Sequence, residues 1–339
     1  MMQGLLATLS DDECKVILNA YLAHNFGENE SVCQKLVSSL TLEEQEIAAR
    51  TSYAYWLASM RSKEPLPDDF RIKTAMREAC RHMDGKGDFK FTLNMLKKTI
   101  AFRVARKIEI YRTCLQEDVV YPNQEDCKQA AQRRSNIREN MGIQTMVVRG
   151  HDRDKNAILL ALPRKTKGKT KGDCVESFLD FVIYMIERVL ACTEVISLGQ
   201  KEKIVVILDA KQSSSPCIKA VKAAVWILQN HYPNRLKNLV IMDPPCWMAG
   251  LYNILKPLLD PETRTKFIIA KGEKAKEASF RLLLDESQAM PNMLAKGRLA
   301  TPVCHNRFLN EVPFHCLYDF NSSEADSSSV PILIPVVSA

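Results

Sequence analysis

Three places in this 339-residue chain bring together side chains whose types and spacing could do chemistry. Lys167-Gly168-Lys169-Thr170 ends like a nucleotide-binding loop, in which backbone N–H groups cradle phosphates. Such a loop needs a second glycine five residues before Gly168, and Pro163 stands there. Asp84, Lys86 and Asp88 have the alternation of a calcium loop. Its sixth position, Phe89, is not glycine, and its twelfth is Met95 instead of glutamate. Cys304-His305 and His315-Cys316 could offer four zinc ligands, but their spacing matches no standard site. There is no Gly-x-Ser-x-Gly, and the 6 histidines form no arrangement with serine and an acid. The acids neither single out a carboxylate pair nor exclude one. The residues thus give no positive evidence for an enzyme, a metal or a cofactor, and none is expected. Lys167–Thr170 belongs to a basic loop over 163–172 with Arg164, Lys165, Lys167, Lys169 and Lys171. It reads as a solvated face or as a contact with anionic lipid, worth about 1 kcal/mol per basic residue near a membrane.

Composition bounds what must position these residues. Hydrophobic residues are 46% of the chain, enough for a sizeable core. The net charge of +7 is mild, so no nucleic-acid partner is expected. Eleven cysteines, an odd number without a CxxC pair, read as reduced thiols of a cytoplasmic protein. The first residues, MMQGLLATLSDDEC, resemble neither a signal nor a transit peptide. No apolar run approaches the roughly 18 residues of a membrane span.

Residues 1–60 read as a helical extension, with a capping box at Thr41-x-x-Glu44. Residues 61–142 read as a second helical module with a polar connector, broken at Asp84–Asp88. From residue 143 to 312 strands alternate with helices, the signature of a largely parallel sheet with right-handed crossovers. Strands are expected at Thr145–Val148, Ala157–Leu162, Ile204–Leu208 and Leu239–Met242. Helices are expected from Asp173 to about Leu198 and from Pro216 to Asn230. Leu251, Ile254, Leu255, Leu258 and Leu259 fall at i, i+3, i+4, i+7 and i+8, the apolar stripe of one helix. Asp260-Pro261 should end it, and Pro257 should weaken it. Residues 320–339 read as a tail.

Tyr232-Pro233-x-Arg235-Leu236, then Pro245 closing a strand, then Lys256-Pro257-Leu258-Leu259-Asp260-Pro261 and Lys266 resemble the CRAL-TRIO lipid-binding family. Phe89–Arg103 resembles the small helical module preceding that domain, with Phe102 in place of a tryptophan. The resemblance implies an α/β fold whose parallel-rich sheet floors a hydrophobic cavity closed by helices, after an all-helical module. It implies that Leu251–Leu259 is a lid. The expected cavity, of several hundred Å³ as a drug-sized ligand needs, would be lined by Ile204, Val206, Leu208, Leu251, Ile254, Leu255, Leu258, Leu259 and Phe267. Lys256, Arg264 and Lys266 would face a membrane, together with Lys165, Lys167, Lys169 and Lys171.

Phosphatidylinositol-transfer members carry hydroxyl residues where this chain has Ile204 and Val206, an acid where it has Asn234, and a lysine where it has Met293. Each lost partner would cost a buried head group roughly 1–3 kcal/mol. The expected ligand is therefore more apolar: a lipid, sterol, tocopherol- or retinoid-like molecule. The expected function is binding and transfer or presentation of that ligand at an anionic membrane, by a cytoplasmic protein transiently peripheral to it. The alternative is a lipid-sensing adaptor that binds a protein partner through residues 1–60.

Overall fold

The computed structural model describes residues 9–83, 88–116, 119–163, 175–211, 213–284 and 303–318. Helices come first: α1 (Asp11–Leu22), α2 (Glu30–Ser38), α3 (Leu42–Ala49), α4 (Tyr53–Arg61), α5 (Asp68–Met83), α6 (Phe89–Ala105), α7 (Ile108–Thr113) and α8 (Gln124–Ile143). Thr41 and Glu44 cap α3 reciprocally, as their spacing predicts, and Ser10 with Glu13 does the same for α1. Strands β1 (Thr145–His151) and β2 (Ala157–Leu162) form a hairpin. Then follow α9 (Val175–Ile196), β3 (Ile204–Asp209), α10 (Ile218–His231), β4 (Leu236–Met242), α11 (Trp247–Leu255), α12 (Pro261–Thr265), β5 (Phe267–Ala270) and α13 (Glu273–Leu283).

The described strands form one sheet in the order β1-β2-β3-β4-β5. β1 is antiparallel to β2, and β2 to β5 run parallel. Right-handed crossovers in a sheet of this order place their helices on one side. α10 indeed packs against both α9 and α11. Residues paired across parallel strands share a face. One face carries Ile158, Leu160, Val205, Ile207 and Val240, all fully buried in the main core. The other carries Leu159, Val206, Leu239 and Phe267 in one row, and Ala161, Leu208, Ile241 and Ile269 in the next.

Part of the N-terminal region joins this core, while buried side chains of α2, α3, α5 and α6 form a second cluster. Tyr53, Trp56 and Leu57 of α4 belong to the same buried cluster as the strands. Tyr53 also stacks on Phe314, ring centroids 5.7 Å apart. Charges fix the join. Glu187 of α9, only 3% exposed, accepts Arg112 Nη2 at 2.7 Å, Arg103 Nη1 at 3.0 Å and the Tyr232 hydroxyl at 2.9 Å. Glu194, two turns on, accepts the Tyr21 hydroxyl at 2.5 Å, Ser52 Oγ at 2.5 Å and the N–H groups of Tyr53 and Ala54 at 2.8 and 3.1 Å. It thereby satisfies orphan donors at the start of α4. A third group ties Glu202 to Arg77 and Arg81, and Glu78 to Arg81 and Arg235.

These groups make stability depend on pH. Burial would push the Glu187 carboxyl up, but Arg103 and Arg112 outweigh it and hold it at about 2. Glu202 is held at about 2 by Arg81 and Arg77 against the same penalty. Both carboxylates stabilise the fold above the unfolded pKa near 4.3, and that contribution is lost as pH falls towards about 2. Burial lowers His315 to about 4, so the unfolded chain takes up a proton first, and stability also drops between roughly pH 6.5 and 4. The urea midpoint should be flat between about pH 7 and 8 and fall steadily below about 6.5. Equal midpoints at pH 7.5 and 4 would contradict this coupling.

Candidate functional site

β3 is the middle strand of five, yet Val206 and Leu208 are only half-buried. Their neighbours Leu239 and Phe267 are also half-buried, and Ile269 at the edge is 58% exposed. A central strand normally buries both faces under helices. Here the second face lies beneath an incompletely filled layer.

The element that meets the edge of this face is α11, with sequence WMAGLYNIL. It is strongly apolar, and none of its residues is fully buried. Trp247, Met248, Leu251, Tyr252 and Leu255 are half-buried, and Ile254 is 40% exposed. Tyr252 meets Phe267 edge to face at 5.6 Å, which brings α11 to the β5 end of the row of Val206, Leu239 and Phe267. Trp247 Nε1 donates to the Ser213 carbonyl at 3.2 Å, anchoring the start of the helix to the loop after β3.

The expected single helix over Leu251–Leu259 is broken. α11 ends at Leu255, Lys256–Leu258 form one 3₁₀ turn, and Leu259 is extended. Pro257 has no N–H, and its ring clashes with the carbonyl four residues earlier, so the α-helix cannot continue through it. Asp260 does not end a helix. It begins one, accepting the Thr263 N–H at 2.7 Å as the N-cap of α12. The stripe therefore divides: Leu259 is buried, while Leu258 is 39% exposed.

Val206, Leu208 and Phe267 thus share one half-covered face of the sheet, and Leu251 and Leu255 are half-buried on α11, whose Tyr252 touches Phe267. Ile204 differs from Val206 and Leu208 in burial. It is 3% exposed in the main core, before an irregularity in the β3–β4 register, and its N–H donates to the Arg235 carbonyl. A cleft of about 50 Å³ opens at the carboxyl ends of β2 and β3, among Pro163, Phe178, Ser214, Cys217 and Val221. That is far below the several hundred Å³ expected. A second cavity, about 20 Å³, is walled by the ion-paired Arg77, Arg81, Arg112, Glu187 and Glu202 and offers nothing to an apolar ligand.

Residues 142–290 match the family model of the CRAL/TRIO domain. This chain contains a CRAL/TRIO domain. Over 233 residues it is 25% identical to patellin-3 of Arabidopsis thaliana, covering 66% of this chain and 42% of that protein. Over 95 residues it is 33% identical to the phosphatidylinositol transfer protein PDR17 of Saccharomyces cerevisiae, covering 26% of each. The matches thus span less than half the length of these curated relatives. The crystal structure of Sfh5 superposes with a TM-score of 0.41 at 17% identity, covering 57% of this chain and 67% of that one.

Within the CRAL/TRIO domain the motif residues prove to be framework. Tyr232 bonds to Glu187, Arg235 donates to the Glu202 carbonyl at 3.2 Å, and Asn234 between them takes a left-handed turn at φ 54°. Asparagine tolerates that conformation better than most residues. Lys256 is exposed. Arg264 Nε donates to the Leu259 carbonyl at 3.0 Å, and Lys266 pairs with Glu262 at 2.8 Å. Lys165, Lys167, Lys169, Lys171 and Met293 lie outside the described residues, as do Asp84, Lys86 and residues 320–339. Asp88 caps α6. His305 contacts Thr145 at 2.9 Å and buried His315 contacts Tyr53 at 3.3 Å. Among the described residues no group of three or more His, Cys, Asp or Glu is placed to hold a metal, and no described helix is long and apolar enough to cross a membrane.

Proposed function

We propose that the protein binds a lipophilic molecule between the Val206–Leu208 face of the sheet and α11, and transfers or presents it at a membrane surface. The observation that carries this is an apolar helix with no buried residue, touching the edge of a sheet face whose central strand is half-buried; the space between them is the proposed hollow. Such a helix gains about 25 cal/mol per Å² of apolar surface covered, whether by ligand, sheet or bilayer. Moving it between these environments is then nearly isoenergetic, as ligand exchange requires. In this reading outward movement of α11 about the Pro257 break makes room for the ligand.

PDR17 is named for phosphatidylinositol. Here the side chain over the middle of the hollow is Val206, with no hydroxyl to meet an inositol head group. This favours a sterol-, tocopherol- or retinoid-like ligand in a protein that visits membranes from the cytoplasm. Organic extraction of the purified protein followed by mass spectrometry tests the reading. An apolar lipid near one per chain is expected. An extract free of lipid, from protein that also fails to load from vesicles, would overturn it.

Pro257→Ala should let α11 run on through Leu258. Ligand release to acceptor vesicles should slow several-fold with loading unchanged. An unaltered release rate would remove Pro257 from the mechanism.

A further inference from the structure

Three neighbouring helical segments share a property that the hollow does not explain. The chain has 40 Asp and Glu residues, yet Phe89–Ala105, Ile218–His231 and Trp247–Leu258 contain none. These segments are α6, α10 and α11 with its 3₁₀ turn, and α10 packs against all the others. Thr99 of α6 donates to the Asn230 carbonyl of α10 at 3.1 Å, and Phe102 stacks on His231 at 4.0 Å.

The outer side of this group is both apolar and basic. Ile218, Lys222 and Trp226 lie at i, i+4 and i+8 on one stripe of α10; Ile218 is 42% and Trp226 53% exposed. The Trp226 ring leans on His231 beside Phe102, in the seam between α10 and α6. Phe91 and Lys98 are exposed on α6, and Ile254, Lys256 and Leu258 on the other flank. Among the described residues Lys98, Lys219, Lys222 and Lys256 form no ion pair, whereas Lys97 turns away towards Glu44 at 3.7 Å.

We infer that the protein docks on anionic bilayers through this carboxylate-free face, with Trp226 as the interfacial anchor and the N-terminal helix α6 as part of the footprint. The inference rests on the reading of the hollow as a lipid site, because it assigns the membrane that α11 must reach. Indole rings settle at the head-group level, and lysines lay their methylenes on apolar surface while the ammonium meets lipid phosphate. A carboxylate anywhere on such a face would repel anionic lipid. Its absence from three segments far apart in sequence is a charge pattern complementary to a bilayer.

The test uses the full chain and vesicles of phosphatidylcholine with phosphatidylserine, at low and high salt. Combined Lys98→Glu, Lys219→Glu and Lys222→Glu should weaken partition at low salt roughly a hundredfold, since each lysine near the surface is worth about fivefold. Trp226→Ala should weaken it at both salt concentrations. Acyl chains brominated near the head group should quench wild-type tryptophan emission, and most of that quenching should vanish in Trp226→Ala. Both variants should retain wild-type lipid on purification. Wild-type partition in both variants, or full quenching in Trp226→Ala, overturns the assignment. Lipid-loaded wild-type protein that ignores vesicles overturns this docking face and leaves the hollow standing. Equal binding of the wild type to soluble polyglutamate would reassign the face to an acidic protein partner.

Discussion

Glu187→Gln should lower the stability of the fold by about 3–5 kcal/mol. The carboxylate lies in the core of α9 and is shared by Arg103 of α6, Arg112 of α7 and the hydroxyl of Tyr232 just after α10. Glutamine has nearly the same shape but one acceptor oxygen and no charge, so two buried guanidinium groups lose their counter-ion. Their desolvation is then uncompensated, which is the costly half of any buried pair. Arg112 also donates to the Arg50 and Thr51 carbonyls, at 3.0 and 3.2 Å, so the loss reaches the end of α3. Tyr232→Phe removes one hydrogen bond to a charged group and should cost about 1.5–3 kcal/mol. Urea denaturation measures both. A glutamine variant within 1 kcal/mol of wild type, to the ~10–15% accuracy of extrapolation, would mean that the pair is exposed in solution and does not join the helical module to the sheet.

Leu255→Asp should abolish ligand loading while leaving the fold intact. Leu255 is half-buried at the last turn of α11, beside the hollow and before the proline break. A carboxylate facing an apolar ligand costs several kcal/mol or must be neutralised by protonation. That corresponds to more than a hundredfold in affinity. In the empty protein the side chain can turn to water, because α11 commits no residue to the core. Circular dichroism and the urea midpoint should therefore match the wild type while lipid per chain falls to background. Wild-type lipid content in this variant would remove α11 from the site.

The sequence predicted the sheet well because its strands are short apolar runs between clear breaks. Ala157–Leu162 has no polar residue between the Lys155-Asn156 turn and Pro163, and its bounds are those observed. Ile204–Asp209 is equally continuous. β4 begins three residues earlier than its apolar core, because half-buried Leu236 and Asn238 pair with Ile204 and Val205 on either side of a bulge at Lys237. β5 and α13 escaped notice. Phe267–Ala270 is four residues long, and the stripe of α13 is interrupted by Lys276, a charge buried on Asp243 at 2.6 Å.

The lid was legible in part. Helical spacing located its apolar residues, but a periodicity argument runs straight through Pro257, and the backbone does not. The ion-paired core was not legible. Arg103 and Glu187 are 84 positions apart, and no local spacing pairs them. Ile204 was drawn into the expected lining with the rest of its apolar strand, but it is 3% exposed, whereas Val206 and Leu208 are half-buried.

A photoactivatable apolar lipid, loaded into the protein and freed of vesicles before irradiation, tests the central claim most directly. Tandem mass spectrometry of the digested adduct locates the cross-link. The predicted result is labelling of Val206, Leu208, Leu251, Leu255 and Phe267. Labelling confined to the outer residues Phe91, Ile218 and Trp226, with none on β3 or α11, would contradict the claim that the hollow holds the ligand.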